Sequence, residues 1–335
     1  MIAALYWRRV LLERFSDDSK GQGMAQTIAR RRAPRKDPLP QETILIGQIG
    51  VTCKSAWKIT LTRDDLEEWL SNFNGEVFSK KYERQLALWL LLNFVYYNKA
   101  EVGSLCRSLY RGFLHHEIAT SPAAASAEIR AKVSELMART RFYQLGRAGE
   151  SSGFILYLFR NENRLSLENF IGSIDRVPNE VDTIIYVDDV CLSGTQADKY
   201  LKRDAKKLTG KRRLLLALFA PNEAKELLAR KSVDVVSVYT LDERSECFSS
   251  KSDMFTDFVA HRENAKDLAA HYGKRAWEDW PLGFNNGGYA FGLFYNTPDN
   301  ALPIFWGEQN GWKPVIKRYH KKYHGEGHNE LGAFV

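Results

Sequence analysis

Long apolar runs are missing from this 335-residue chain: none exceeds seven residues, and Leu86 to Leu92 stops at Asn93. A helix crossing a bilayer needs about 20 apolar residues, so the sequence predicts no membrane span. Met1 to Trp7 is apolar but precedes Arg8 and Arg9, the reverse of the order in a secretory signal. A cytoplasmic protein is expected. Cysteine is scarce: Cys53, Cys106, Cys191 and Cys247 lie far apart, which excludes a CxxC zinc or redox motif and predicts free thiols. The chain also lacks a GxxxxGK[ST] loop and any internal repeat.

What the chain has is charge at one end. Its net charge is +7, of which residues 1–40 carry +5. The densest part is Arg30, Arg31, Arg32, Arg35 and Lys36, broken by Pro34 and followed by Pro38 and Pro40, which prevent a continuous helix. Such an arm suits electrostatic contact with nucleic-acid phosphates, or it is a solvated terminus. Met24 offers an alternative start that would leave the basic cluster in place.

Behind the arm, residues 41–140 read as a helical domain. Thr62 with Asp65 forms a capping box, and Leu66, Trp69, Leu70 and Phe73 make one apolar stripe after it. Lys81 to Tyr97 reads as a central helix, and Pro122 opens another that runs to about Arg139. His115 and His116 read as surface or cap residues. From residue 141 the rhythm changes to strands at 142–145, 183–187, 214–220 and 233–240, alternating with helices at 153–160, 196–208 and 222–230. That alternation predicts an α/β core with a parallel sheet over residues 141–270. Residues 271–335 form an aromatic hood with a basic tail.

Most of the chemistry lies in the 13 residues 184–196, Ile-Ile-Tyr-Val-Asp-Asp-Val-Cys-Leu-Ser-Gly-Thr-Gln. An apolar strand ends in Asp188 and Asp189, a short loop follows, and a helix begins. Ligands of open parallel sheets bind beyond the carboxyl ends of strands. Adjacent carboxylates there accept hydrogen bonds from vicinal sugar hydroxyls. Gly194 lets backbone approach an anion, Ser193 and Thr195 add donors, and a helix start favours a phosphate. A sugar phosphate fits this pattern. Tyr186-Val187-Asp188-Asp189 also spells the YxDD box of reverse transcriptases, but that box turns a hairpin, whereas Ser193–Gln196 leads into a polar helix. The polymerase reading is rejected, and so is a response-regulator receiver, whose acid pair lies near the domain start.

Residues 184–196 resemble the PRPP-binding signature of type I phosphoribosyltransferases. The resemblance implies that Asp188 and Asp189 hold the ribose hydroxyls and that Leu192, Ser193, Gly194, Thr195 and Gln196 cradle the 5′-phosphate, with magnesium arriving on PRPP. Some members use a residue of this loop as an acid, and Leu192 cannot serve. Such enzymes carry a pyrophosphate loop after their first core strand. Gly149-Glu150-Ser151-Ser152-Gly153 stands in that place, with Arg160 or Arg147 as counter-charge, or else it is an ordinary strand-to-helix turn.

A narrower resemblance spans roughly residues 54–319. Ala56-Trp57, Glu68 to Phe73, Ser151-Ser152-Gly153, Phe159-Arg160 and the Asp-Asp segment come first. Pro281 to Phe284, Asn296 to Asn300, Leu302 to Trp306 and Trp312-Lys313-Pro314 follow in order. Together they are similar to the phosphoribosyltransferase-like effectors of bacterial conflict systems, including some retrons. That implies an anti-phage effector or toxin restrained by a partner encoded nearby, such as a reverse transcriptase–nucleic acid assembly. An oligomer also fits such a system. A non-catalytic nucleotide sensor is the alternative.

Other residues have plainer readings. Trp306 could stack on a base and Asn300 could bond its edge, although aromatic density favours core packing and Pro298-Asp299-Asn300 favours a turn. His320, His324 and His328 share a spacing that Gly325 and Gly327 interrupt, so a basic tail is expected rather than a metal site. Cys191 reads as packing.

Overall fold

The computed structural model describes residues 38–118, 126–147, 149–316 and 318. The basic cluster Arg30–Lys36, Met24, Pro122 and the three tail histidines lie outside the described residues. Helices α1 (Glu42–Thr52), α2 (Arg63–Leu70) and α3 (Lys80–Leu92) come first. The predicted capping box opens α2: Asp65 N–H donates to Thr62 Oγ1 at 3.1 Å, and Thr62 N–H donates to Asp65 Oδ2 at 2.7 Å. A second box, Asn98 with Glu101, starts α4 (Lys99–Glu117) just after the short strand β1 (Val95–Tyr97). Lys81–Tyr97 is therefore a helix and then a strand, because Asn93 and Phe94 end the helix. Helix α5 is Ser126–Ala138.

The predicted strands and helices then follow in turn: β2 (Thr140–Gln144), α6 (Ser151–Glu162), β3 (Thr183–Val190), α7 (Thr195–Ala205), β4 (Arg212–Pro221), α8 (Asn222–Ala229) and β5 (Val233–Leu241). β2 to β5 form one parallel sheet in the order β2-β3-β4-β5. Ile185, Val187, Leu214 and Leu216 meet α4 and α6 on one face, whereas Ile184, Tyr186, Leu215 and Ala217 meet α7 and α8 on the other. Strands covered on both faces are apolar at nearly every position.

The link from α6 to β3 sets the topology. Phe170 makes a parallel bridge to Phe142 on the free edge of β2, and Ile174 and Val181 then pack on the α7 face on the way to β3. Phe170 is thus a rudimentary outer strand. The chain leaves β2 one way by α6 and returns the other way to β3, so the direction of winding reverses between β2 and β3 while the strands stay parallel. Such switch points are where doubly wound sheets bind ligands.

The remaining elements are α9 (Arg262–Ala276), β6 (Phe291–Leu293), paired parallel with β1, and α10 (Pro303–Trp306). The 41–140 stretch divides between two cores. Residues 39–94 share a core with 247–316, whereas the apolar face of α4 covers the sheet. Two of the quoted motifs meet in the first of these: Trp69 and Trp312 both donate their indole N–H to the Ile304 carbonyl, at 2.8 and 3.1 Å. Asn72 and Lys313 exchange hydrogen bonds of 2.9 and 3.1 Å. No helix among the described residues is long and apolar enough to cross a membrane.

Candidate functional site

β2 ends at Gln144, which pairs with Val187, so Asp188 and Asp189 extend past their neighbour at the switch point. Alternation along β3 turns Asp189 towards the α6 face. There Ser151, at the start of α6, donates to Asp189 Oδ1 at 3.2 Å, and Val190 N–H donates to the same oxygen at 3.0 Å. Tyr295, two residues beyond β6, donates to Oδ2 at 3.2 Å. Asp188 accepts the Asp189 N–H at 3.0 Å. The two acids are only 8% and 5% exposed. A cavity of about 610 Å³ opens elsewhere, at the amino-terminal end of β3 and β4 beside Asp182, Thr183 and Arg212.

Burial raises the Asp189 carboxyl above its ordinary value, against the hydrogen bonds that lower it. An acid with a raised folded pKa contributes stability below its unfolded value, and that contribution is lost as pH rises through the folded value. Asp189→Asn is therefore expected to melt above wild type at pH 7.5, by about 1–2 °C for each ~1 kcal/mol recovered. At pH 4 the gain should shrink towards nothing. Equal melting gains at both pH values would refute the burial argument.

The loop before α6 already holds an anion, its own Glu150 carboxylate. Arg147 N–H donates to Glu150 Oε2 at 3.1 Å, and the Tyr200 hydroxyl of α7 reaches both oxygens at 3.4 Å. Gly146 makes room: its φ is +123°, and a Cβ there would stand 2.3 Å from Glu150 Oε2. Ser152 is 1% exposed, and its hydroxyl has no partner. Of the predicted loop residues, Ser151 touches the acids, and Ser152 and Gly153 follow it in the first turn of α6. Arg160 lies farther off, since nine residues of helix carry it about 13 Å along the axis from Ser151.

In the loop after β3, Leu192 is buried in the core under α4 and α6. Ser193 Oγ accepts the Thr195 N–H at 3.3 Å. Gly194 has φ +68°, and a Cβ there would come within 3.1 Å of Leu227. Thr195 and Gln196 are exposed in the first turn of α7. Cys191 is buried, its thiol pushed up to about 12 by burial, which fits packing rather than nucleophilic chemistry.

The two hood candidates stand differently. Trp306 belongs to the first core: its indole donates to the Ala301 carbonyl at 3.0 Å, and Trp277 and Arg318 cover its ring. At 5% exposure its ring is out of reach of a base. The Asn300 amide donates to the Phe284 carbonyl at 2.9 Å and fixes the turn instead. Sequence reasoning missed Tyr295, because a lone tyrosine after a three-residue strand carries no local signal. It also named Glu150 without giving it a role.

Paired strand-end acids at the switch point of a parallel sheet, with a glycine-bearing loop on each side, define the class of this protein. The chain belongs to the PRTase-CE family, whose model matches residues 66–318. Among solved structures it is similar to the orotate phosphoribosyltransferase from Aeropyrum pernix, with 20% identity over 43% of this chain and 73% of that chain and a TM-score of 0.26. No curated protein sequence matches it.

Proposed function

We propose that the chain binds Mg-PRPP or a related ribose phosphate at Asp188 and Asp189 and transfers the phosphoribosyl group to an acceptor. The observation that carries this is the acid pair at the switch point, with Ser151 of the preceding loop already bonded to Asp189. The acids would take the ribose hydroxyls, and residues 192–196 the 5′-phosphate. The 146–153 loop would take pyrophosphate with Glu150 displaced from it, and the support is the Arg147 N–H that Glu150 now occupies and the unpartnered Ser152 hydroxyl. Magnesium would supply charge neutralisation on the pyrophosphate. In the transfer the C1′–oxygen bond breaks, pyrophosphate leaves with the bonding pair, and the acceptor bonds to C1′ and gives its proton to water. The residues would act by positioning and electrostatics on an oxocarbenium-like ribose.

A second reading, sensing without turnover, is favoured by Leu192, an apolar, buried side chain where an acid would serve chemistry. Pyrophosphate release separates the two: a sensor binds ligand and liberates none. The likeness of its motifs to conflict-system effectors further supports an anti-phage role, with a nucleic-acid or protein partner restraining it and the basic arm as one point of contact. Calorimetry of Mg-PRPP binding to wild type and to the Asp188→Asn, Asp189→Asn variant tests the ligand. Binding by folded wild type that survives the double substitution would sink the assignment.

A further inference from the structure

The acid pair is covered by the molecule itself. β6 runs into a tight turn in which Leu293 and Asn296 exchange backbone hydrogen bonds of 2.8 and 3.0 Å. Tyr295 sits in that turn, its ring 4.6 Å from Phe154 and 5.1 Å from Phe294, centroid to centroid. Its hydroxyl ends on Asp189 Oδ2. A phenol donating to this carboxylate stands where a sugar hydroxyl would donate. Burial and the adjacent Asp189 charge push the phenol well above its ordinary value, so the hydroxyl keeps its proton. The turn is held from behind by Arg318, which donates to the Thr297 carbonyl, lies 3.5 Å from the Asp299 carboxylate and stacks 4.8 Å over Trp306.

We propose that Tyr295 is a built-in competitor for the hydroxyl position on Asp189, and that the 293–299 turn pinned by Arg318 is a latch that must swing away before a ligand enters. For the ligand this rests on the ribose-phosphate reading; the closure itself does not. Besides the neighbouring Asp188 side chain, three groups bond to Asp189, and they are carried by different elements. Ser151 and Val190 belong to a helix start and a strand of the sheet, whereas Tyr295 comes from a half-buried turn after the three-residue β6, outside the four-stranded sheet, so the turn is the element that would yield. A closed latch lowers apparent affinity by the fraction of molecules that are open. Drawing the Arg318 segment away would raise that fraction, which gives a partner a handle on the site.

The test uses the full chain as wild type, Tyr295→Phe and Arg318→Met. Hydrogen–deuterium exchange is read at 293–299 without ligand, and Mg-PRPP binding is read by calorimetry. Both variants are expected to exchange about ten-fold faster in the turn, with α1 to α3 unchanged, and Tyr295→Phe is expected to bind Mg-PRPP about ten-fold tighter. Unchanged exchange in both variants overturns the latch. Equal or weaker binding by Tyr295→Phe than by a binding wild type overturns the competition, because the phenol would then be neutral or a ligand contact. Faster exchange with no binding by any of the three supports the latch and removes ribose phosphate as its ligand.

Discussion

Replacing Asp188 and Asp189 together by Asn is expected to weaken Mg-PRPP binding by more than about 100-fold. Each carboxylate bonded to a sugar hydroxyl is worth ~1.5–3 kcal/mol, so two give roughly 3–6 kcal/mol. Asn keeps shape and volume but offers one acceptor in place of a charged pair. Thermal melting of the same variant tells loss of the site from loss of the fold, and burial of the Asp189 charge favours a neutral side chain at that position. A protein that melts no lower than wild type yet binds no ligand separates the site from the scaffold. Any toxicity on expression should vanish in the same variant. If binding persists in a folded double variant, the ribose belongs elsewhere.

The other large effect falls far from the acids, at Glu83. Its carboxylate is fully buried and accepts four hydrogen bonds, from the backbone N–H of Gly75, Val77 and Phe78 and from the Tyr272 hydroxyl, at 2.6–2.8 Å. These bonds tie the loop between α2 and α3 to α9. Glu83→Ala leaves buried donors without an acceptor, and loss of a buried charged partner typically costs ~3–5 kcal/mol. Against a typical total of about 5–15 kcal/mol, much of the folded population is at risk. Glu83→Gln should recover only part, because its NH2 group would face donors. Urea unfolding with an unchanged slope and a lower midpoint is the expected signature. A loss under about 1 kcal/mol would show that the loop finds other partners.

The two effects follow from opposite arrangements of the same group. Glu83 is a carboxylate with its donors supplied by the fold, and it holds structure together. Asp189 is a carboxylate whose burial outweighs its hydrogen bonds, bonded at the end of its strand to Ser151 and Tyr295. Neither role can be read from residue type.

Much of the scaffold was determined by sequence alone, because its signals are local. The Thr62–Asp65 box opens α2 as predicted, and the alternating apolar runs become β2 to β5 within a few residues of their expected limits. Asp188 and Asp189 were legible because a strand, an acid pair and a glycine loop occupy 13 contiguous residues. Tertiary structure decided what depends on contacts distant in sequence. Phe170, with no strand signal of its own, bridges to β2 and makes the β2–β3 gap a switch point. Trp306 is claimed by a core assembled from both ends of the described chain. Tyr295 lies 106 residues from the carboxylate it covers. Periodicity and turn chemistry act over a few residues, so they specify elements; closure of a site is specified by which elements pack together, and that is a property of the whole fold.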